Sequence, residues 1–385
     1  MNILIVTPYP PVLHVHGGGV RMFHNIRILA ERHNVRVISF VENDAEVELL
    51  KSVEAVCESV ASVRRVLDLT PHWFSLAPFM VREFGTPAMH EAVDRSLRMT
   101  KIDVIQCEYL QMAQYRRPGI FSILTAHEAY SANAYKTFQT TTDTIEKLRA
   151  FNRWMAMLNY EISMCNAFDR VVTMTEADAA YLRSYAPHAN IRAIPIGIDA
   201  DHFRPAVDRS CDYPTQIVFV GNFRHSPNVE AAEFLLKEVA PHFPDTTFVI
   251  AGSYLPQTIP KPSNAIFSGY IADTRELFHP PGTIFAAPLF SGTGQRVKLL
   301  EAFAMRAASV TTSVGASGFP IAHGEQALIA NTAEEFRTAI AALLASPELR
   351  IELGKKARQM IEDHFTWNTI GNAFLQLVEH RCDGL

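Results

Sequence analysis

The sequence predicts an α/β protein of two domains, each a parallel sheet with helices on both faces. Three observations carry this. At 385 residues the chain is too long for one ordinary core, since domains usually run about 100–200 residues. Short apolar runs alternate with longer amphipathic ones, the pattern of strand and crossover helix. The alternation begins afresh near Gln216, after a polar, proline-bearing segment.

In chain order, Ile3 to Thr7, Val35 to Val41, Ile102 to Cys107, Ser122 to Ala126, Val171 to Thr175 and Ile191 to Pro195 read as strands of the first domain. Gln216 to Gly221, Thr247 to Gly252, Ala265 to Gly269, Thr283 to Pro288 and Ser309 to Thr312 read as strands of the second. The boundary falls between about Gly197 and Pro214, which gives domains 1–196 and 197–364. A helix is expected over Glu348 to Glu362, followed by an amphipathic segment from Phe365 to Val378.

Composition narrows the class. With 48% hydrophobic and 19% charged residues the chain is globular. A net charge of −5 argues against nucleic acid as a partner, so any anion site must be local. The five cysteines, Cys57, Cys107, Cys165, Cys211 and Cys382, are scattered, with no C-x-x-C pair and no zinc spacing, and read as reduced thiols. The first apolar run ends at Pro8, too short for a signal peptide, and no apolar stretch approaches the ~18 residues of a membrane span. A soluble, cytoplasmic protein is the expectation.

The most informative segment is Gly292 to Glu301, G-T-G-Q-R-V-K-L-L-E, placed between a strand and a helix-forming stretch from Leu299 to Met305. That order builds an anion cradle: small residues admit a phosphate to the backbone, and unpaired N–H groups of the helix start face it. Arg296 and Lys298 add two positive charges. Glu301, one turn inside, is placed to accept hydrogen bonds from sugar hydroxyls. Two cations and one carboxylate suit a nucleotide diphosphate joined to a sugar.

These residues resemble glycosyltransferase family 4 (group 1), whose members are retaining enzymes of the GT-B fold. Gly292, Gly294, Arg296, Lys298 and the run Leu299-Leu300-Glu301-Ala302 match its donor-binding signature. Val220-Gly221-Asn222-Phe223 with Pro227-Asn228, Ile194 to Asp199 with Phe203-Arg204-Pro205, and Gly269 to Asp273 fall in the family's order as well. The resemblance implies two Rossmann-like domains with parallel sheets facing an interdomain cleft, the first domain binding the acceptor and the second the nucleotide sugar. It also implies that the C-terminal helix, about 365–385, returns to the first domain. Where the common pattern has a first glutamate this chain has Thr293, like a branch with G-x-G-x-R-x-K before the second glutamate. Ile196 replaces a usual asparagine, and Arg306-Ala307-Ala308-Ser309 replaces a common glycine and proline.

The same resemblance assigns roles. Gly221, Arg224, Tyr270, Gly292, Thr293, Gly294, Leu299, Leu300 and Glu301 would meet the donor, with Glu301 on the ribose and the Gly269-Tyr270-Ile271 loop at the nucleobase. Arg296 and Lys298 would stabilise the departing diphosphate. His127, which follows a strand in Thr125-Ala126-His127-Glu128, reads either as a structural histidine, one of 15, or as a group near the anomeric carbon. The resemblance favours the second reading, with Glu128 as its partner or an acceptor-side contact. Gly17-Gly18-Gly19 form a loop after the first strand, before a helix starting near Val20, with Arg21 close behind. It reads as a flexible turn or as a backbone approach to phosphate or sugar.

Asp199-Ala200-Asp201 has the look of a metal motif, but its place between the domains makes it a decoy, and no metal or other cofactor is expected. The stretches His72-Trp73-Phe74 through Phe79-Met80 and Lys147 to Trp154, with Arg149 and Arg153, read first as a core face with a solvated basic edge. Their second reading is a peripheral contact with a membrane that carries a lipid-linked acceptor. The expected activity is sugar transfer, with retention, from a nucleotide diphosphate-sugar to a hydroxyl of a glycan, lipid-linked or small acceptor. A GT-B sugar-nucleotide epimerase or hydrolase, and a non-catalytic nucleotide-binding subunit, remain the alternatives.

Overall fold

The computed structural model describes residues 1–13, 17–66, 77–205, 215–278, 282–292 and 295–380. Contacts divide the chain into two compact units, Met1–Pro195 together with the residues from Ile370 on, and Ile196–Thr369.

In the first unit seven strands form one parallel sheet: β1 (Asn2–Thr7), β2 (Asn34–Val41), β3 (Ser59–Arg64), β4 (Val104–Glu108), β5 (Phe121–Ala126), β6 (Arg170–Thr173) and β7 (Ile191–Ala193). Their order is β3-β2-β1-β4-β5-β6-β7, with Ile3 beside Val35 on one flank and Val104 on the other. Ile3 to Val6 have no exposed surface, which is why β1 reads as an unbroken apolar run: helices cover both faces of a central parallel strand.

The second unit repeats the plan with six strands: β8 (Gln216–Val220), β9 (Thr247–Ala251), β10 (Ala265–Gly269), β11 (Ile284–Ala287), β12 (Ala308–Thr311) and β13 (Leu328–Ile329). Their order is β10-β9-β8-β11-β12-β13, again all parallel. Each sheet therefore reverses its strand order once, at β1/β4 and at β8/β11. Ligands of open parallel sheets gather at the carboxyl ends of strands at such a point.

Two strands escaped the sequence. β3 is an edge strand whose residues are mostly exposed, and β13 has two residues, so neither carries an apolar run. β4 ends at Glu108, one residue beyond the expected limit, because its backbone continues the ladder against Thr125. The glycines expected as a loop are the first turn of a helix, Gly17–Ala30. Glycine costs little there, since the first N–H groups of a helix have no intrahelical acceptor to lose.

In the second unit the helix Val297–Ala304 is held from its far end. Arg358, almost fully buried on the helix Pro347–His364, donates to the carbonyls of Ala304, Phe203 and Ala200 and pairs with Glu362. A cation at a helix C-terminus complements its dipole. The last helix, Trp367–Glu379, packs on the first unit from Ile370 on: Arg170 donates to the carbonyls of Leu377 and His380, and Gly371 lies against Ile28.

Candidate functional site

The sequence-derived residues collect at the two reversal points, one group in each unit. In the second unit β8 runs out into Gly221, whose N–H donates to Ala251 O at 3.0 Å. The Asn222 side chain accepts the N–H of Arg224 at 3.0 Å, and Asn228 Nδ2 donates to Asn222 O at 2.7 Å. Across the reversal point, β11 leads to Gly292 with φ +100°, a left-handed conformation that glycine alone adopts without strain. The helix Val297–Ala304 follows, with Arg296 as its cap residue.

Lys298 links the two segments. Its Nζ donates to Asn228 Oδ1 at 2.6 Å and lies 4.7 Å from the centre of the Phe219 ring. Burial, with the neighbouring Arg296 charge, pulls Lys298 down to about 7, although Glu301 opposes the shift. Burial likewise lifts Glu301 to about 7, against a 3.0 Å hydrogen bond from Thr274 Oγ1 and the Lys298 charge. Asp273 adds to the lift; the Arg275 guanidinium holds Asp273 itself down at about 2. Arg296 donates to Ser291 O at 3.4 Å. The start of this helix thus carries two cations, Arg296 at the cap and Lys298 in the first turn, with the Glu301 carboxyl one turn on.

Several expectations need correction. The side chains of Leu299 and Leu300 are fully buried, and their N–H groups both go to Arg296 O, so they build the core beneath the site rather than face a ligand. An apolar pair inside a helix turn belongs to the buried face. Arg224 is exposed and lies 3.8 Å over the Tyr254 ring. Tyr270 is exposed beside Gly269, and with Ser253, Tyr254 and Lys261 it lines a cavity of about 540 Å³. Thr293 and Gly294 lie outside the described residues, as does His72-Trp73-Phe74.

In the first unit the reversal point lies between Thr7 and Glu108. His127 Nε2 is 2.7 Å from Glu108 Oε2, and Glu108 is completely buried. The imidazole stacks on Tyr109, ring centres 3.6 Å apart and planes within 5°. The Tyr109 hydroxyl is hydrogen-bonded to that of Tyr9, and both press on Gly18: a Cβ there would stand 1.9 Å from Tyr109 Oη and 2.5 Å from Tyr9 Oη. Gly18 is therefore a close-approach glycine. Burial raises both phenols, each raised further by the Glu108 charge, so both are neutral hydroxyls.

Arg21 departs from the expected loop position. It is buried inside the unit, donates to Ile194 O at 2.8 Å and to Met174 Sδ, and burial lowers it to about 10. Helix phase explains this: Arg21 is four residues from Gly17 and turns with Met22 and Asn25 toward the sheet. Glu128 accepts from Asn133 Nδ2 at 2.7 Å. Asp199 takes the N–H groups of Asp201 and His202, and Asp201 pairs with Arg204; the described residues contain no group of three or more potential metal ligands.

Sequence reasoning missed Tyr9, Glu108, Tyr109, Asn228 and Thr274 as members of these groups. Glu108 had a signal, an acidic residue closing an apolar strand, which is costly unless paired. The Lys147 to Trp154 stretch lies on the helix Thr144–Ala167, where Phe151 and Trp154 pack against Phe138 of the preceding helix. Ile145, Leu148, Phe151 and Met155 remain exposed on it.

Comparison with known proteins gives concordant matches. Residues 15–202 match the model described as Glycosyltransferase Family 4, and residues 214–346 that described as Glycosyl transferases group 1. Glycogen synthase of Mycobacterium tuberculosis is 24% identical over 408 residues, covering 98% of this chain and 94% of its own length. An uncharacterised 44.6 kDa protein in the cps region of Klebsiella pneumoniae is 21% identical over 356 residues, covering 86% and 87%. Among solved structures, sucrose-phosphate synthase of Thermosynechococcus elongatus has a TM-score of 0.73 at 17% identity, covering 98% of each chain. HepE of Anabaena, solved with UDP-glucose, has a TM-score of 0.69 at 14% identity, covering 98% and 99%.

Proposed function

This chain belongs to the family 4, group 1 glycosyltransferases of GT-B fold, and on that premise we propose that it moves a sugar from a nucleotide diphosphate donor to an acceptor hydroxyl, with retention and without a metal ion. The observation that carries the reading is the first turn of the helix Val297–Ala304. There Arg296 and Lys298 stand beside the helix N-terminus, and Glu301 sits one turn on. With the N–H groups of Leu299 and Leu300 already spent on Arg296 O, those of Val297 and Lys298 are the backbone donors for a phosphate. The UDP-glucose bound by HepE supports a nucleotide sugar as the donor class.

In this reading the sugar C1–O bond to the diphosphate breaks as the acceptor oxygen bonds to C1 on the same face. The acceptor proton passes to the departing phosphate oxygen. Negative charge grows on the diphosphate, where Arg296, Lys298 and the helix start meet it, which is where fixed dipoles and charges lower a barrier most. Glu301, held by Thr274, accepts from the ribose hydroxyls. The cavity beside Tyr254 and Tyr270 is the nucleobase position. His127, Gly17, Gly18 and Gly19 serve the sugar side. Two cations at the diphosphate replace the divalent ion, and the Asp199 carboxylate is already committed to backbone N–H groups.

Reduced thiols at Cys57, Cys107 and Cys165 support a cytoplasmic setting. The exposed Ile145, Leu148, Phe151 and Met155, with Lys147, Arg149 and Arg153 on the same helix, support a peripheral membrane contact and a lipid-linked acceptor. Among the described residues no helix is long and apolar enough to cross a membrane.

Incubation of the purified protein with UDP-, GDP-, ADP- and dTDP-sugars tests the reading. Slow, donor-specific release of sugar with its anomeric configuration kept is expected. Epimerised donor would replace it by an epimerase, and nucleotide binding without turnover by a non-catalytic subunit.

A further inference from the structure

We propose that Glu108 is a positioning residue that acts through His127, holding the imidazole with its proton on Nε2 and its plane against Tyr109. The proposal rests on the reading of His127 as a sugar-side group.

A carboxylate at the end of a buried strand is unfavourable unless charge and hydrogen bonds compensate it. Glu108 has both. One oxygen lies 2.7 Å from His127 Nε2, the other accepts from Gln106 Nε2, and the charge of buried Arg21 acts on it. A carboxylate accepts only, so the nitrogen facing it must carry the hydrogen. That choice of tautomer directs the chemistry of the ring to its other edge, Nδ1.

The ring plane is fixed separately. Tyr109 stacks on the imidazole at 3.6 Å and cannot swing away, since its hydroxyl is bonded to Tyr9 and packed against Gly18. Its N–H is bound to Thr125 O at 2.9 Å, two residues before His127. Tyr109 holds φ +70°, a conformation that costs a non-glycine residue and persists only where surrounding contacts enforce it. Orientation thus comes from Tyr109 and proton placement from Glu108. Among the described residues, the ionisable groups around this pair include Arg21, Glu128 and the neutral phenols of Tyr9, Tyr109 and Tyr130.

The test begins with the unaltered protein. Histidine labelled with nitrogen-15 should show the His127 proton on Nε2 across the pH range of activity; an Nδ1-protonated neutral ring would overturn the proposal without any variant. In Glu108→Gln, which keeps the shape and removes the charge, kcat should fall at least about tenfold with donor KM within about twofold. His127 should titrate about one unit lower, since an opposite charge favours the protonated ring. Glu108→Asp should keep part of the activity. Unchanged kcat and titration in Glu108→Gln would sink the proposal. If His127→Ala kept full kcat while the tautomer proved correct, the sugar-side role of His127 would fall instead, and the two failures stay distinct.

Discussion

Lys298 donates to the side-chain carbonyl of Asn228 at 2.6 Å, and through Asn228 it is tied to Asn222 in the loop after β8. The helix start and the loop across the sheet reversal are thereby fixed to each other before any ligand arrives. A preset cation is worth more to a developing charge than one that must reorganise to meet it.

This arrangement separates two kinds of variant. On the proposed reading Glu301 meets ribose hydroxyls that change little during reaction, so Glu301→Ala should raise donor KM by roughly one to two powers of ten, the loss of a charge-assisted hydrogen bond of ~1.5–3 kcal/mol. Arg296→Ala and Lys298→Ala should lower kcat more than they raise KM, because their partner gains charge in the transition state. Steady-state kinetics on folded variants decide. A pure KM effect at Lys298 and Arg296 would make the cradle a binding clamp only.

The acidity of the same two groups sets a pH profile. Donor kcat/KM reports the free enzyme, in which Glu301 must be ionised, above about 7, and Lys298 charged, below about 7. A narrow bell with its maximum near neutrality is expected. Lys298→Arg should flatten the alkaline limb, since guanidinium does not titrate there, and Glu301→Gln the acid limb. Unaltered limbs in both variants would assign the profile to other groups.

Lys298 should also weaken the unliganded fold. Its ammonium is lowered from 10.5 to about 7, so between those values the unfolded chain holds a proton that the folded chain has released. The penalty is therefore fully present below pH 7 and fades as pH rises toward 10.5. Lys298→Met should raise stability near pH 6–7 by about 0.5–2 kcal/mol, with a smaller gain at pH 9, while abolishing transfer. Denaturant titrations at the two pH values measure it; a gain that grew with pH would refute the assignment.

These groups show what a sequence exposes and what it hides. The parallel sheets were legible because buried central strands such as Ile3 to Val6 leave unbroken apolar runs, and the cradle because Gly292, Arg296, Lys298 and Glu301 are neighbours in sequence. Asn228 and Thr274 were not legible as partners. They reach Lys298 and Glu301 across 70 and 27 residues, and only the register of β8, β10 and β11 brings them there. Leu299, Leu300 and Arg21 misled for a related reason: helix phase turned them inward, a direction that a motif read as a string does not contain.

Metal dependence can be tested directly. On the proposed reading Arg296 and Lys298 face the diphosphate, so excess EDTA should leave most of the activity in place. A collapse that magnesium or manganese restores would return Asp199 and Asp201 to consideration.

The last prediction concerns Gly18, which no donor contact is needed to explain. A methyl group there would meet Tyr109 Oη at 1.9 Å and Tyr9 Oη at 2.5 Å, so Gly18→Ala must push the hydroxyl pair aside. Overpacking of this kind costs about 1–3 kcal/mol. Because Tyr109 stacks on His127, the displacement should reach the imidazole and lower kcat as well. Removing the closer of the two colliding hydroxyls should relieve part of both effects: Gly18→Ala combined with Tyr109→Phe should be more stable than the sum of the single variants, with a coupling of about 0.5–3 kcal/mol. Denaturant unfolding of the four proteins in the cycle measures that coupling, and kcat of the same set shows whether His127 follows Tyr109. Strict additivity in stability would mean that the phenol is not what excludes a side chain at position 18, and the contact between the glycine turn and the Tyr109–His127 stack would lose its meaning.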